Sequence, residues 1–328
     1  MQQVLNCIDA GTEYCPCFLA ETGECLMCSQ LQRKTFCDCR NWNGVCIYQE
    51  YISNRSQKKE HRKALPGRIL KREVISDSVI ILKIQVNKTL ARELSQPGAY
   101  VFLKNIKDPN YFDAPMSIMS ADEREASVDV AIQIKGVKTR ALDEFNITEV
   151  SLRGPYWNGV LGLKYIKGVQ EQKALLVTRG IGQAPAVPVA KKLILAGNSV
   201  EVILDQGRAG ANFAEKYFRE LGCEIKIKPV FDLKTLTLTD EIKEYIRQSV
   251  LENSIKLVYS SGSDKMHEGI CRLLLSTAPD VFFACSNGAS FCCGEGVCGS
   301  CHTRTTDGTR IKTCKTQLNP VEIFGGGR

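Results

Sequence analysis

Cys293, Cys298 and Cys301, followed by Cys314, have the spacing C-x4-C-x2-C…C, and this run constrains the chain more than any other feature. A loop so spaced wraps a small inorganic centre with several thiolates turned inward, which is the plant-type [2Fe-2S] signature. Gly294, Gly296 and Gly299 interleave the cysteines; they permit positive φ and close approach of backbone amides to the sulfides. Structural zinc sites pair C-x2-C knuckles, whereas here a four-residue gap precedes a single knuckle, so the iron-sulfur reading is preferred. Cys292 reads as a spare or packed thiol and Cys285 as a strand residue.

The chain has sixteen cysteines, eight of them in the first 46 residues and six between Cys285 and Cys314. No signal peptide precedes them, so a reducing, cytoplasmic setting is expected, where metal ligation explains dense cysteine better than disulfides do. Near the amino terminus stand Cys15, Cys17, Cys25, Cys28, Cys37, Cys39 and Cys46, with Cys7 ahead of them. So few apolar residues accompany them that bound metal is expected to supply the folding energy. Cys25 and Cys28 form one true knuckle, but the C-x-C pairs do not suit zinc ribbons, and the run of bacterial ferredoxins is absent. An additional iron-sulfur cluster is favoured and zinc stays open. His61, His267 and His302 lie outside the segment.

At 328 residues the chain has room for two or three domains. Its 44% hydrophobic and 24% charged residues are those of an ordinary globular protein. A net charge of +7 arises from basic residues interspersed with acidic ones, which argues against nucleic acid. No apolar run reaches membrane-spanning length.

Four regions follow from composition and periodicity: a cysteine-rich metal-binding extension over 1–60, a β-barrel over 66–166, an α/β domain over 170–284 and a small cysteine loop domain over 285–328. The polar stretch 54–63 reads as a linker closed by Pro66-Gly67. In the second region Leu82, Ile84 and Val86 alternate with Lys83 and Gln85, and Val128, Val130, Ile132 and Ile134 alternate with polar or small residues. This is the period of half-buried antiparallel strands. In the third, strands at 174–178, 200–204, 225–228 and 256–260 alternate with helical patterns at 186–195, 212–221, 240–251 and 266–275, predicting a doubly wound parallel sheet. The predicted fold class is therefore multidomain, an antiparallel barrel followed by a doubly wound α/β domain and a C-terminal [2Fe-2S] loop.

That order of parts, with three further motifs, resembles the electron-transfer subunit of NAD-dependent dihydroorotate dehydrogenase and the small subunit of NADH-dependent ferredoxin:NADP oxidoreductases, within the ferredoxin-reductase superfamily. Ala114-Pro-Met-Ser-Ile118 is similar to the family's flavin motif, and the resemblance implies that Pro115, Met116 and Ser117 lie along FAD. Gly136-Val-Lys-Thr139 is similar to the turn that holds the FAD pyrophosphate, implying roles for Gly136 and Thr139, with Ile132 and Gln133 on the strand leading in. Gly154-Pro-Tyr-Trp-Asn-Gly159 resembles the link between domains. Ala114 replaces the family's arginine and Lys138 its second glycine, so Lys138 is expected to supply charge to the diphosphate.

Gly180 and Gly182 follow a strand and open a helix, the place where a dinucleotide phosphate meets helix-terminal amides. Asp205, ending the next strand, is the candidate acceptor for a ribose hydroxyl, favouring NAD over NADP. Tyr259-Ser-Ser-Gly262-Ser-Asp-Lys-Met266 resembles the motif bordering the nicotinamide, without its cysteine and proline.

The resemblance implies a subunit that passes electrons between NAD(P)H, FAD and the [2Fe-2S] cluster, to or from a second oxidoreductase subunit that is dihydroorotate dehydrogenase-like or a larger flavoprotein. No protein acid or base is required by that scheme. The alternative is a non-catalytic electron carrier or metal-stabilised adaptor that has lost nicotinamide turnover, as the altered stretches at 178–179 and 261–263 would allow.

Overall fold

The computed structural model describes residues 5–38, 44–109, 113–144 and 146–326. The chain divides into two compact units, one of residues 1–63 with 289–318, the other of residues 64–288 with 319–328. The boundaries drawn from sequence therefore shift. The cysteine-rich extension and the C-terminal cysteine loop share one unit, and residue 284 lies inside the strand Phe282–Ser286 rather than at a domain edge. The last residues join the larger unit, where the short helix Val321–Phe324 sets Phe324 against His267, with ring centroids 5.5 Å apart.

In the larger unit, six antiparallel strands close a barrel in the order Ala64–Ser76, Val79–Gln85, Ser127–Gln133, Ala114–Asp122, Tyr100–Asn105 and Glu149–Tyr156. The alternation seen in sequence is the alternation of faces. Ile80, Leu82, Ile84, Val128, Val130 and Ile132 fill the barrel. Their neighbours Val79, Ile81 and Ala131 face outward, into the core built around the helix Gln183–Leu195. Complete burial of such a side chain contributes about 1.5–3 kcal/mol. Covering both faces of these strands is what welds the barrel to the α/β half.

That half carries a six-stranded sheet in the order Glu224–Ile227, Ser199–Asp205, Lys173–Arg179, Ile255–Ser261, Phe282–Ser286 and Val160–Leu161. The first five strands run parallel and the last antiparallel. The chain winds outward from Lys173–Arg179 in one direction, then returns to its other side at Ile255–Ser261. The carboxyl ends of those two strands form the switch-point crevice in which open α/β sheets bind ligands.

The smaller unit has little regular structure. Asn6–Cys7 pairs antiparallel with Thr316–Gln317, uniting the two ends of the chain. The stretch read as a linker is fastened down: Lys58 N–H donates to Glu21 Oε1 at 2.9 Å, Lys59 N–H to the Pro16 carbonyl at 2.9 Å, and Arg62 is buried.

Candidate functional site

The cysteine loop of the smaller unit is shaped by Gly294, Gly296 and Gly299, whose φ values of 71°, 76° and 75° lie in the left-handed region. The turns they make aim backbone donors inward. Glu295 N–H donates to Cys293 Sγ at 3.3 Å, and the amides of Cys298 and Val297 address the same sulfur. Cys314 donates to both Cys293 and Cys301, and Cys298 donates to Cys293, so the four sulfurs form one connected group. The Cys314 contact, with those amides and against burial, holds the Cys293 thiol down at about 4. The same contact lowers Cys301 to about 6.

Cys293 and Cys301 are thus held as thiolates, while burial and the thiolates they serve push the donors Cys298 and Cys314 up, protons that metal ligation would displace. Among the described residues, no three His, Cys, Asp or Glu side chains converge as a single-ion site requires. The donor set, three cysteines of one glycine-turned loop with Cys314 hydrogen-bonded to two of them, is that of a [2Fe-2S] centre. These residues fit that group.

Behind the loop lies a buried charge quartet. Arg62 reaches Asp9 at 2.9 Å and Glu295 at 3.4 Å, and Lys315 reaches Glu295 at 2.9 Å and pairs with Asp9 as well. Arg62 and Lys315 have no side-chain exposure. Burial alone would raise the Asp9 carboxyl, but Lys315 and Arg62 hold it below the usual range. Burial would lower Lys315, but Asp9 and Glu295 hold it well above the usual range. Two cations and two anions make a neutral set, so no net charge is buried. Glu295 belongs to the cysteine loop and Lys315 follows Cys314, so the quartet clamps both arms of the loop. Sequence reasoning missed it because its members are spread from residue 9 to residue 315.

In the larger unit a cavity of about 600 Å³ opens between the barrel and the sheet's switch point, within the usual range for cofactor sites. Pro115, Met116, Ser117 and Gln133 line one wall, and Gly180 and Gly182 the other. A Cβ on Gly182 would lie 2.4 Å from the Ser261 carbonyl oxygen, so only glycine lets this turn seat against the neighbouring strand. Four cations that the sequence did not single out, Lys135, Arg179, Arg208 and Lys265, also line the cavity. Among the described residues no aspartate or glutamate does. An apolar cleft edged by cations at a helix N-terminus fits an anionic dinucleotide.

Four expectations meet a different local setting. Ile132 points into the barrel core rather than the cavity, because it alternates with Ala131 and Gln133. Gly136 and Thr139 form a self-capped helical turn: Thr139 Oγ1 accepts from Lys135 N–H at 2.9 Å and Gly136 N–H at 3.1 Å, and neither residue lines the cavity. Lys138 donates to the Asp113 carbonyl at 3.2 Å instead of facing a diphosphate. Asp205 is engaged at both oxygens, by Arg179 Nε at 3.0 Å and Val230 N–H at 2.9 Å on Oδ2, and by Gly207 N–H at 2.8 Å on Oδ1. These bonds close the strand end.

Of the amino-terminal candidates, Cys15, Cys17, Cys25 and Cys28 are partly buried, while Cys37 and Cys46 are exposed. Cys46 Sγ caps the helix Ile47–Ser53 through Gln49 N–H at 3.5 Å. Cys39 lies outside the described residues.

Comparison with known proteins agrees with this architecture. No protein-family model matches the chain. It is 24% identical over 229 residues to the dihydroorotate dehydrogenase B (NAD(+)) electron transfer subunit of Geobacillus sp. (strain WCH70), covering 68% of this chain and 83% of that protein. It is 25% identical over 224 residues to the subunit of that name from Fusobacterium nucleatum, covering 67% and 82%. Among solved structures, an NADH-dependent reduced ferredoxin-NADP oxidoreductase superposes with a TM-score of 0.61 at 19% identity, covering 76% of this chain and 85% of that one. The ferredoxin-NADP+ reductase of Plasmodium falciparum superposes at 0.50 with 16% identity, covering 67% and 95%. The curated relatives are homologues of this chain, and its fold is ferredoxin-reductase-like. Among the described residues no helix is long and apolar enough to cross a membrane.

Proposed function

We propose that the chain is the electron-transfer subunit of a heteromeric, cytoplasmic oxidoreductase, binding FAD and NAD(P)H in the cleft and a [2Fe-2S] cluster on Cys293, Cys298, Cys301 and Cys314. The observation that carries this reading is the connected group of four sulfurs on a loop whose amides point at them. When bound, FAD exchanges an electron pair as hydride with nicotinamide and single electrons with an iron-sulfur centre.

The chain's own residues bind and orient. Pro115 and Met116 offer an apolar wall to a flavin ring, and Ser117 and Gln133 offer polar groups beside it. Arg179, Arg208, Lys135 and Lys265 offset phosphate charge, and the Gly180–Gly182 turn brings the N-terminus of the helix Gln183–Leu195 to the same cleft. Free cysteines throughout the described residues suit a reducing compartment. The homologues named above are electron transfer subunits; a second oxidoreductase subunit is the corresponding partner here.

Anaerobic stopped-flow mixing of flavin-loaded protein with NADH and with NADPH tests the reading. Bleaching of the flavin band by either donor is expected. Full flavin occupancy without bleaching by both would leave the chain a carrier that does not turn over nicotinamide.

A further inference from the structure

A buried hydroxyl needs an acceptor for its proton, and near the switch point two find one on the backbone. Thr178 Oγ1 donates to the Ile203 carbonyl at 3.0 Å, and Ser261 Oγ to the Gly182 carbonyl at 2.7 Å. Ser261 stands where the motif bordering the nicotinamide has its cysteine, yet it is enclosed and does not line the cavity. Ser286, 9% exposed at the carboxyl end of the strand Phe282–Ser286, does line it. Its Oγ stands 3.2 Å from His267 Nε2 and accepts from Gly262 N–H at 3.3 Å.

The imidazole decides which way the Ser286 proton points. His267 is fully enclosed and burial keeps it neutral, so one ring nitrogen donates and the other accepts. Nδ1 lies 2.8 Å from the Oγ of Ser260, which is itself fully buried and has no other side-chain bond among the described residues. A proton on Nδ1 would leave the Ser260 hydroxyl with no acceptor for its own, a desolvated donor left unmade. Nδ1 is therefore the acceptor, and the ring proton lies on Nε2, facing Ser286 Oγ. That oxygen then receives two N–H groups, from His267 and Gly262, which occupy both its lone pairs. Its own O–H finds no protein acceptor among the described residues, and the open side is the cavity.

The strand end is tied to the flavin wall by a short run of backbone pairings. Ser286 pairs with Val160, and Asn287 N–H donates to the Gly159 carbonyl at 2.8 Å. Gly159 N–H donates to the Gly98 carbonyl at 2.8 Å, two residues before Tyr100, which pairs with Ser117. The redox end of a dinucleotide has to lie at that wall to exchange hydride with a flavin. The cations and the Gly180–Gly182 turn suit the phosphates; a neutral, directional donor suits the carbonyl of an amide.

We propose that the Ser286 hydroxyl donates to the carboxamide oxygen of a nicotinamide dinucleotide, and that His267, through Nε2–H, is the positioning residue that turns this proton outward. The proposal rests on the nucleotide reading given above. A serine of either polarity would accept both edges of the carboxamide, whereas one committed to donate selects the carbonyl edge and fixes the rotation of the amide.

The test measures binding to the anaerobic, flavin-loaded full chain by titration calorimetry. The ligands are NAD+, its thionicotinamide analogue, whose sulfur is a weak acceptor, and its acetylpyridine analogue, which keeps the carbonyl and lacks the amino group. Ser286→Ala should raise Kd about 3- to 10-fold for NAD+ and the acetylpyridine analogue, the share of one neutral hydrogen bond, and leave the thionicotinamide analogue within about twofold of wild type. His267→Leu should erase the same discrimination, while His267→Gln, which can present an N–H to Ser286, should keep it. Equal weakening of all three ligands by Ser286→Ala, no weakening of any, or weakening that spares the acetylpyridine analogue overturns the proposal and leaves the nucleotide reading intact. A wild type that binds none of the three overturns both. A second readout needs neither a variant nor a nucleotide. The chain has three histidines, and long-range nitrogen–proton correlation of isotope-labelled histidine should show one ring that does not titrate near neutrality, protonated at Nε2. A proton on Nδ1 of that ring overturns the proposal.

Discussion

Lys315 Nζ lies 2.9 Å from Glu295 Oε2, tying the residue after Cys314 to the middle of the loop that carries Cys293 and Cys298. The pair is sealed from solvent together with Arg62 and Asp9, so the loop is closed by ion pairing at its back rather than by apolar packing. Lys315→Met leaves two buried carboxylates facing one guanidinium. Removal of one partner from such a set costs about 3–5 kcal/mol. Urea unfolding should show a loss of that order, partly recovered in Lys315→Met/Glu295→Gln; equal stability of Lys315→Met and wild type would contradict the clamp.

His267 is enclosed, with Nδ1 2.8 Å from Ser260 Oγ and Nε2 3.2 Å from Ser286 Oγ. Burial lowers it to about 3. Between that value and the ordinary 6.5 the unfolded chain binds the proton and the folded chain does not. The histidine's share of stability is therefore complete above 6.5 and declines as pH falls, by at most about 1.4 kcal/mol per unit. His267→Gln should flatten the pH dependence of the unfolding midpoint over that window. An unchanged slope would show that the imidazole is solvated in the folded state.

Asp205 is saturated by Arg179, Gly207 and Val230, while Arg208 lies on the cavity wall. An arginine at this end of the second strand accommodates a 2′-phosphate. NADPH should therefore bleach the flavin at least as well as NADH. Arg208→Ala, losing a charge-assisted bond of about 1.5–3 kcal/mol, should raise KM for NADPH by about 10- to 100-fold and leave NADH nearly unaffected. Equal effects on both donors would place the arginine elsewhere in binding.

Gly182→Ala introduces a carbon 2.4 Å from the Ser261 carbonyl oxygen, a backbone atom that cannot swing away. The turn must open, at a cost of about 1–3 kcal/mol. Nicotinamide-driven bleaching should drop more than flavin content does. Wild-type rates in this variant would mean that the Gly180–Gly182 turn does not form the nucleotide site.

Much of the architecture was legible because it is periodic. The alternation around Leu82–Ile84 and Val128–Ile132 maps onto the two faces of closed barrel strands, and the strand-helix rhythm from Ala174 to Ser260 maps onto the doubly wound sheet. What escaped was non-local or chemically ambiguous. The pairing of Cys7 with Thr316 joins opposite ends of the chain, and Arg62, in a stretch that reads as a polar linker, finds its carboxylates at residues 9 and 295. Motif resemblance placed Pro115, Met116, Ser117 and Gln133 at the cavity, but not Thr139 or Asp205, whose oxygens bond to nearby backbone. A residue type compatible with a ligand is equally compatible with a turn, and only the neighbouring donors decide between them.

The most direct measurement of the central claim is freeze-quench electron paramagnetic resonance of the anaerobic, flavin-loaded chain after mixing with NADH or NADPH. The account predicts a reduced [2Fe-2S] signal that grows in as the flavin band bleaches and is absent from Cys298→Ser. A bleached flavin with no cluster signal in the wild type, or a signal that survives loss of Cys298, would contradict it.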